Sequence, residues 1–329
     1  MNSAPPRLPK LALGLLAVAL LMWAAGRLYT VRWNPEIGFY RAAAGITHQW
    51  AEELTAKHGR KVIIYGGSSC QFSIDGERLL NQHGIPCVNL GRNAGFGAGT
   101  MSVAALSETR PGDTLIVAIE PGLLTEPLTV PSLAAQFSVA MQHPEWVTAP
   151  ALDAPRLNPI STALSLRPGG YHLITLVGKV ARGQPLFRYQ VADIRRSGWV
   201  QTDKRLPIDG PPGHGGKLSE DTRRLFASLR DWAKTNQVRV VYSLPWAYCP
   251  ERETASFQRL NARFLRDVME FLPVLKDPQL GALADATQFS DTVWHLTESG
   301  SAARTDALGE QLKAWSLWTA AELDERQPP

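Results

Sequence analysis

The chain reads as an α/β protein built on a parallel sheet, and three observations point there. Short apolar runs with a β-branched bias recur at residues 61–66, 86–90, 114–119 and 238–244. Stretches with helical spacing separate them, rather than two-residue hairpin turns, and strands that alternate with helices pair in parallel with both faces covered. The 329 residues, 44% of them hydrophobic, suffice for one large α/β domain or two small ones.

At the N-terminus, Arg7 and Lys10 precede an uncharged, mostly apolar run over residues 11–26, which Leu28 and Tyr29 extend past Arg27. The run is a little shorter than the roughly 20 residues a spanning helix prefers, and snorkelling of Arg27 makes up the difference. An uncleaved signal-anchor is expected; cleavage after Gly26, with Ala24 at the third position before the cut, is the alternative. The positive-inside rule puts the N-terminus in the cytoplasm, with Arg27 and Arg32 pulling the other way. The expected organisation is a cytoplasmic tail and transmembrane signal-anchor over 1–33, then an extracytoplasmic domain over 34–329. That corresponds to a single-pass protein of the inner (cytoplasmic) membrane with its domain in the periplasm or extracytoplasmic space.

Residues 34–59 read as a helical connector with Trp50 and Leu54 as apolar contacts. The first strand, 61–66, leads into a helix over 74–82, the second strand, 86–90, into a helix over 98–109. The third, 114–119, follows the turn Pro111, Gly112, Asp113. From about 120 to 216 the periodicity dissolves into a proline-rich stretch ending in "PIDGPPGHGGK". A structureless loop of that length is uncommon in a compact domain, so the stretch reads as an insertion with short helices facing substrate, partner or membrane. An amphipathic helix over 218–236, the strand 238–244, a helix over 252–272 and a final helix over 298–318 complete the chain.

The net charge is +4, but the basic residues are scattered and no nucleic-acid motif occurs, so nucleic acid is not an expected partner. Three cysteines leave at least one unpaired, which excludes a disulfide framework. No CxxC, HExxH or EF-hand pattern occurs, and no metal or cofactor is expected.

The segment "VIIYGGSSCQFSID", residues 62–75, puts two glycines and two serines on a strand-to-helix turn. Such a turn can wrap a phosphate, present a nucleophilic hydroxyl, or cap the helix. Among seven histidines, His295 is the one with a carboxylate close in sequence, Asp291, and a following helix to anchor it. A carboxylate fixes the tautomer of a histidine base and stabilises the imidazolium that forms. In a parallel sheet the carboxyl ends of the strands share one crevice, where the serines and a loop carrying His295 can meet.

"GGSSCQFSID", "NLGRNAGFGAG" and "SDTVWHLTESG", in that order, resemble blocks I, II and V of the SGNH (GDSL-like) hydrolase superfamily. With the N-terminal anchor, they look most like membrane-anchored members that handle acyl groups on cell-surface glycans, including D-alanine transfer proteins. The resemblance implies a flavodoxin-like three-layer α/β/α fold. It also implies a Ser-His-Asp acyl-enzyme mechanism of an O-acyltransferase or esterase, acting on acetyl or similar groups of an extracytoplasmic polysaccharide or acylated carrier, beside a membrane-embedded acyltransferase. Ser69 takes the nucleophile's place, with Ser68 as the fallback; His295 is the base, and Asp291, four residues before it where the family has three, orients it. The oxyanion donors are the amides of Ser69 and of Gly95 or Ala94, with Gly95 preferred because glycine permits close approach. The family's third donor, an asparagine after the third strand, is absent: the chain reads "AIEPG" with Glu120, and Asn93 is the substitute.

Trp246 and Tyr248 can stack on a sugar or pack in the core. Two rival readings stand beside the enzyme. Gly95, Gly97 and Gly99 followed by Glu120 suggest a dinucleotide site, although the spacing is G-x-G-x-G. A non-catalytic anchored protein that binds a glycan or scaffolds a membrane acyltransferase is the other.

Overall fold

The computed structural model describes residues 8–166, 170–202 and 210–326. The predicted tail over residues 1–7 and the first residues of "PIDGPPGHGGK" lie outside the described residues.

The four apolar runs become β1 (Val62–Tyr65), β2 (Cys87–Asn89), β3 (Thr114–Val117) and β4 (Arg239–Tyr242). They form one parallel sheet in the order β2-β1-β3-β4, with Ile64 opposite both Asn89 and Ile116. Side chains alternate across a strand, so each strand feeds two clusters. Ile63, Tyr65, Leu115 and Val117 join Trp50, Leu54, Val103, Phe226 and Phe264. Ile64, Ile116 and Val241 join Ile74, Leu79 and Leu308. Burial on both sides explains why these strands read as continuous apolar runs.

The turn before β3 does more than reverse the chain. The Asp113 carboxylate accepts the Lys61 amide at 2.9 Å, the Lys61 ammonium at 2.8 Å and the Arg110 amide at 2.8 Å. Both side chains of the ion pair are essentially inaccessible, so the starts of β1 and β3 share one buried charge cluster.

The connector is a helix, Pro35–His58, capped by Asn34 and ended by Gly59 in the left-handed region. Asp75 caps the helix Gly76–His83 by accepting the amides of Glu77 and Arg78. The helices Ala98–Leu106, Glu220–Thr235 and Glu251–Met269 follow the predicted spacing. The last long helix, Glu298–Ala314, stops before the predicted residue 318 because Trp315 turns into the left-handed region. The chain then pairs back, Leu317 bridging Leu275 and the Trp318 amide donating to the Val274 carbonyl. A small parallel pair, β5 (Ala247–Tyr248) and β6 (Ala282–Leu283), has no counterpart in the sequence reading.

The N-terminal helix Leu8–Leu28 continues through a wider turn, Tyr29–Trp33. Among the described residues it is the one helix long and apolar enough to cross a membrane, with a mean hydropathy of 2.0.

The insertion holds the helices Pro121–Thr125, Ser132–Ala140, Glu145–Thr148, Pro159–Ser165 and Gly170–Ala181. Its last part returns to the sheet: the Asn89 amide donates to the Ser197 carbonyl, and the Val200 amide to the Gln71 carbonyl. Gly198 makes this crossing possible, with φ of +96° and room for no side chain, since a Cβ there would lie 1.9 Å from the Asn89 carbonyl oxygen.

Candidate active site

The ladder between β1 and β2 continues past the strands, the Arg92 amide donating to the Gly66 carbonyl at 3.0 Å. This bond holds the loop after β2 beside the glycine-serine turn. After Gly66 and Gly67 the chain enters a single helical turn, Ser68–Gln71, from which the amides of Cys70 and Gln71 reach the Gly67 carbonyl.

Burial separates the two serines. Ser69 is 1% exposed, and its Oγ is enclosed without a hydrogen-bond partner among the described residues. Ser68 is half-buried. A nucleophile has to meet a carbonyl that arrives from outside, so exposure favours the Ser68 hydroxyl over that of Ser69.

Glu120, just past β3, reaches across to this turn. Its buried carboxylate accepts the Ser69 amide at 2.9 Å and the Gly67 amide at 3.2 Å. The contact also explains Gly67: a Cβ at that position would lie 2.3 Å from a Glu120 carboxylate oxygen.

His295 and Asp291 are joined, Nδ1 to Oδ1, at 2.7 Å, and both are buried. The loop between them is closed locally: Thr292 Oγ1 accepts the amides of Trp294 and His295, and the Ser290 amide donates to the His295 carbonyl. A four-residue spacing therefore still delivers the contact. On its far oxygen, Asp291 accepts the Tyr189 hydroxyl at 3.1 Å and pairs with Arg188 at 2.8 Å. Burial works to raise the Asp291 carboxyl, but the hydrogen bond and charge of His295, with the Arg188 guanidinium, hold it below the ordinary aspartate value. The imidazole stacks on Phe72, centroids 4.1 Å apart and planes inclined by 27°. Phe72 closes the serine turn, its amide donating to the Ser68 carbonyl at 3.0 Å. His295 thus rests on the segment that carries the serines.

Of the expected oxyanion donors, Ser69, Gly95 and the Asn93 side chain have hydrogen-bond partners in this structure, whereas the Ala94 amide has none among the described residues. The Ser69 amide is held by Glu120, the Gly95 amide by Asn93 Oδ1 at 2.7 Å, and the Asn93 side-chain amide by Glu36 at 3.2 Å. The physical reason at Gly95 is local: an asparagine side chain readily bonds the backbone two residues on. The amides of Ser68 and Ala94, each opening its own turn, meet no acceptor among the described residues.

Of the two expectations for Trp246 and Tyr248, the structure shows packing in the core. Trp246 is buried, its indole N–H donating to Asp277 at 3.1 Å and its ring facing the Arg304 guanidinium. Tyr248 is half-buried, edge-on to Phe289. Both pack with Phe289 and Leu296, under the loop that carries His295.

Phe72, Arg188 and Tyr189 were not singled out from the sequence. Phe72 lies inside the quoted motif, but nothing local signals what it stacks on. Arg188 and Tyr189 come from the insertion, which offers no periodic pattern to follow.

An open depression of about 530 Å³ lies beside the Asp291 clamp, lined by Arg188, Tyr189, Gln190, Asp193, Gln201 and Thr202 among others. A more apolar cavity of about 380 Å³, lined in part by Thr47, Arg92, Phe96, Met101, Phe137 and Trp146, includes none of Ser68, Ser69, Asp291 or His295. Cavity shape alone therefore does not find the histidine pair.

Comparison with family models, with curated proteins and with solved structures returns no match.

Proposed function

We propose that this chain is a serine-dependent O-acyltransferase or esterase of SGNH-like, three-layer architecture. It would be anchored by its N-terminal helix in the cytoplasmic membrane, with the α/β domain on the outer side. The observation that carries this reading is the buried Asp291–His295 pair stacked on Phe72, which ties a tautomer-fixed histidine to a glycine-serine turn at the carboxyl end of a parallel strand. The strand order β2-β1-β3-β4 supports the flavodoxin-like part of the reading.

In this mechanism Ser68 Oγ attacks an acyl carbonyl while His295 takes its proton, and Asp291 stabilises the imidazolium. The amides of Ser68 and Ala94 receive the oxyanion, in place of Ser69 and Gly95. The acyl-enzyme is then resolved by a sugar hydroxyl or by water. The polar depression lined by Gln190, Asp193, Gln201 and Thr202 suits a hydroxyl-rich acceptor such as a cell-envelope polysaccharide. A membrane-embedded acyltransferase is the expected partner, and no cofactor is needed.

One observation favours a second reading, a non-catalytic SGNH-fold scaffold or glycan-binding partner of such an acyltransferase. Glu120 stands where the family has a neutral oxyanion donor, and its negative charge beside the Ser69 amide opposes a developing oxyanion.

The two readings separate on covalent labelling of the full chain in detergent with a fluorophosphonate, the adduct located by peptide mass spectrometry. An adduct on Ser68 that disappears in His295→Ala is the expected result. An adduct on Ser69 restores the register first read from the sequence, and no adduct on either serine sinks the enzyme reading in favour of the scaffold.

A further inference from the structure

The helix Gly170–Ala181 is turned inside out. In a helix of a water-soluble domain, the apolar stripe faces the core and polar side chains face solvent. Here Leu173, Ile174, Val177 and Val180 are exposed, with Ile174 74% and Val177 68% accessible. These positions fall on one face of the helix. On the side toward the rest of the chain, His172, Thr175 and Lys179, with Leu176 as the helix's one apolar member, line a small pocket with Asn34, Pro35 and Glu36. The preceding helix, Pro159–Ser165, exposes Ile160 and Leu164 as well.

Each of these two helices is fastened to the N-terminal helix at one point. The Trp23 indole N–H donates to the Ala163 carbonyl at 3.0 Å, and Tyr29 Oη lies 3.2 Å from His172 Nε2. Trp23, Tyr29 and Trp33, interleaved with exposed Arg27 and Arg32, have the composition of a membrane-interface belt. The fastening points therefore sit at the level where a spanning helix leaves the hydrocarbon. Exposed Arg182, just after the apolar helix, adds a cation suited to lipid phosphates.

We infer that the helices Pro159–Ser165 and Gly170–Ala181 lie in the bilayer interface as a second membrane contact, their exposed apolar side chains sunk among the acyl chains of the leaflet from which the chain emerges. The occupant of these faces is lipid, because each helix is bonded to the N-terminal helix, at Trp23 and Tyr29, next to its exposed apolar surface, and interfacial helices bury such faces in this way. The inference rests on the anchor reading and adds to it: one spanning helix leaves a domain free to swivel, whereas a second contact fixes its orientation on the membrane.

The test uses the full chain in phosphatidylcholine nanodiscs containing nitroxide-labelled lipid. An environment-sensitive fluorophore is placed singly at Val18→Cys in the N-terminal helix, at Ile174→Cys or Val177→Cys in the helix Gly170–Ala181, and at Arg230→Cys, an exposed position on the helix Glu220–Thr235. The native cysteines are buried and leave the introduced thiol to react. Strong quenching by lipid at 18, 174 and 177, with none at 230, is the expected result. Quenching at 18 alone, with aqueous iodide reaching 174 and 177, overturns the inference and leaves the anchor intact. No lipid quenching at 18 removes the anchor reading and the inference together. Far-UV circular dichroism of each labelled chain shows that it is folded, and positions 174 and 177 check each other.

Discussion

The Glu120 carboxylate holds the Ser69 amide at 2.9 Å, and the same carboxylate fills the space that a side chain on Gly67 would need. Two strand ends, β1 and β3, are thereby locked through one side chain. Glu120→Ala leaves two buried amides without an acceptor and is expected to cost about 2–4 kcal/mol. Gly67→Ala alone forces its Cβ into the carboxylate and is expected to destabilise comparably. The double variant removes the clash, so its loss should fall short of the sum by about 1–2 kcal/mol. Urea unfolding of the four proteins checks this; strict additivity would mean that the two residues do not share the space.

The two serines make opposite predictions. The Ser69 hydroxyl is buried without a partner, so Ser69→Ala removes an unsatisfied polar group, and stability should stay within about 1 kcal/mol of the parent or rise. Fluorophosphonate labelling should survive it. Ser68→Ala should fold normally and abolish the adduct. Reversal of this pattern would return the nucleophile's role to Ser69.

At the other end of the sheet, the buried Lys61–Asp113 pair is asymmetric. Asp113→Ala leaves the Lys61 ammonium with only the Thr55 hydroxyl, leaves two backbone amides without an acceptor, and is expected to cost about 3–5 kcal/mol. Lys61→Met should cost less, because Asp113 keeps its two backbone donors. Equal losses in thermal and urea unfolding would argue against the role of those amides.

Asp306 gives a pH signature. It accepts both Arg78 Nε and Nη2, at 2.7 and 2.6 Å, and pairs with His83, tying the helix Gly76–His83 to the helix Glu298–Ala314. The Arg78 hydrogen bonds, with help from His83, pull its carboxyl down to about 2. A folded value below the unfolded one means the stabilisation is complete above about pH 4 and is lost as pH falls through about 2. The side chains are more than a third exposed, so screening limits the effect to about 1 kcal/mol or less. Asp306→Asn should be slightly less stable than the parent at pH 7 and indistinguishable from it at the acid end of a denaturation series.

What was legible in the sequence was what is encoded locally. The four strands could be read because burial on both faces writes an uninterrupted apolar run, and Asp291 with His295 because a short loop joins them. Arg188 and Tyr189 were not legible: Tyr189 lies 102 positions from Asp291, and that contact depends on how the insertion folds back. Gly95 is the instructive case. A glycine there suggests a backbone open to substrate, whereas Asn93 two residues earlier is the local signal that the Gly95 amide has a side-chain partner. Trp246 belongs with it: a buried indole usually finds an acceptor for its N–H, and here that acceptor is Asp277.

Cys70, Cys87 and Cys249 are all buried and unpaired, the first two in the apolar cluster under the sheet and the third in a separate small cluster near β5. Burial pushes the Cys70 thiol well up. The folded chain therefore offers no thiol to an alkylating reagent, and tagging proceeds only as the structure opens. With reagent in excess, the tagging rate becomes a clock for unfolding, and the order in which the three positions are tagged ranks the opening of the sheet against that of the smaller β5–β6 region.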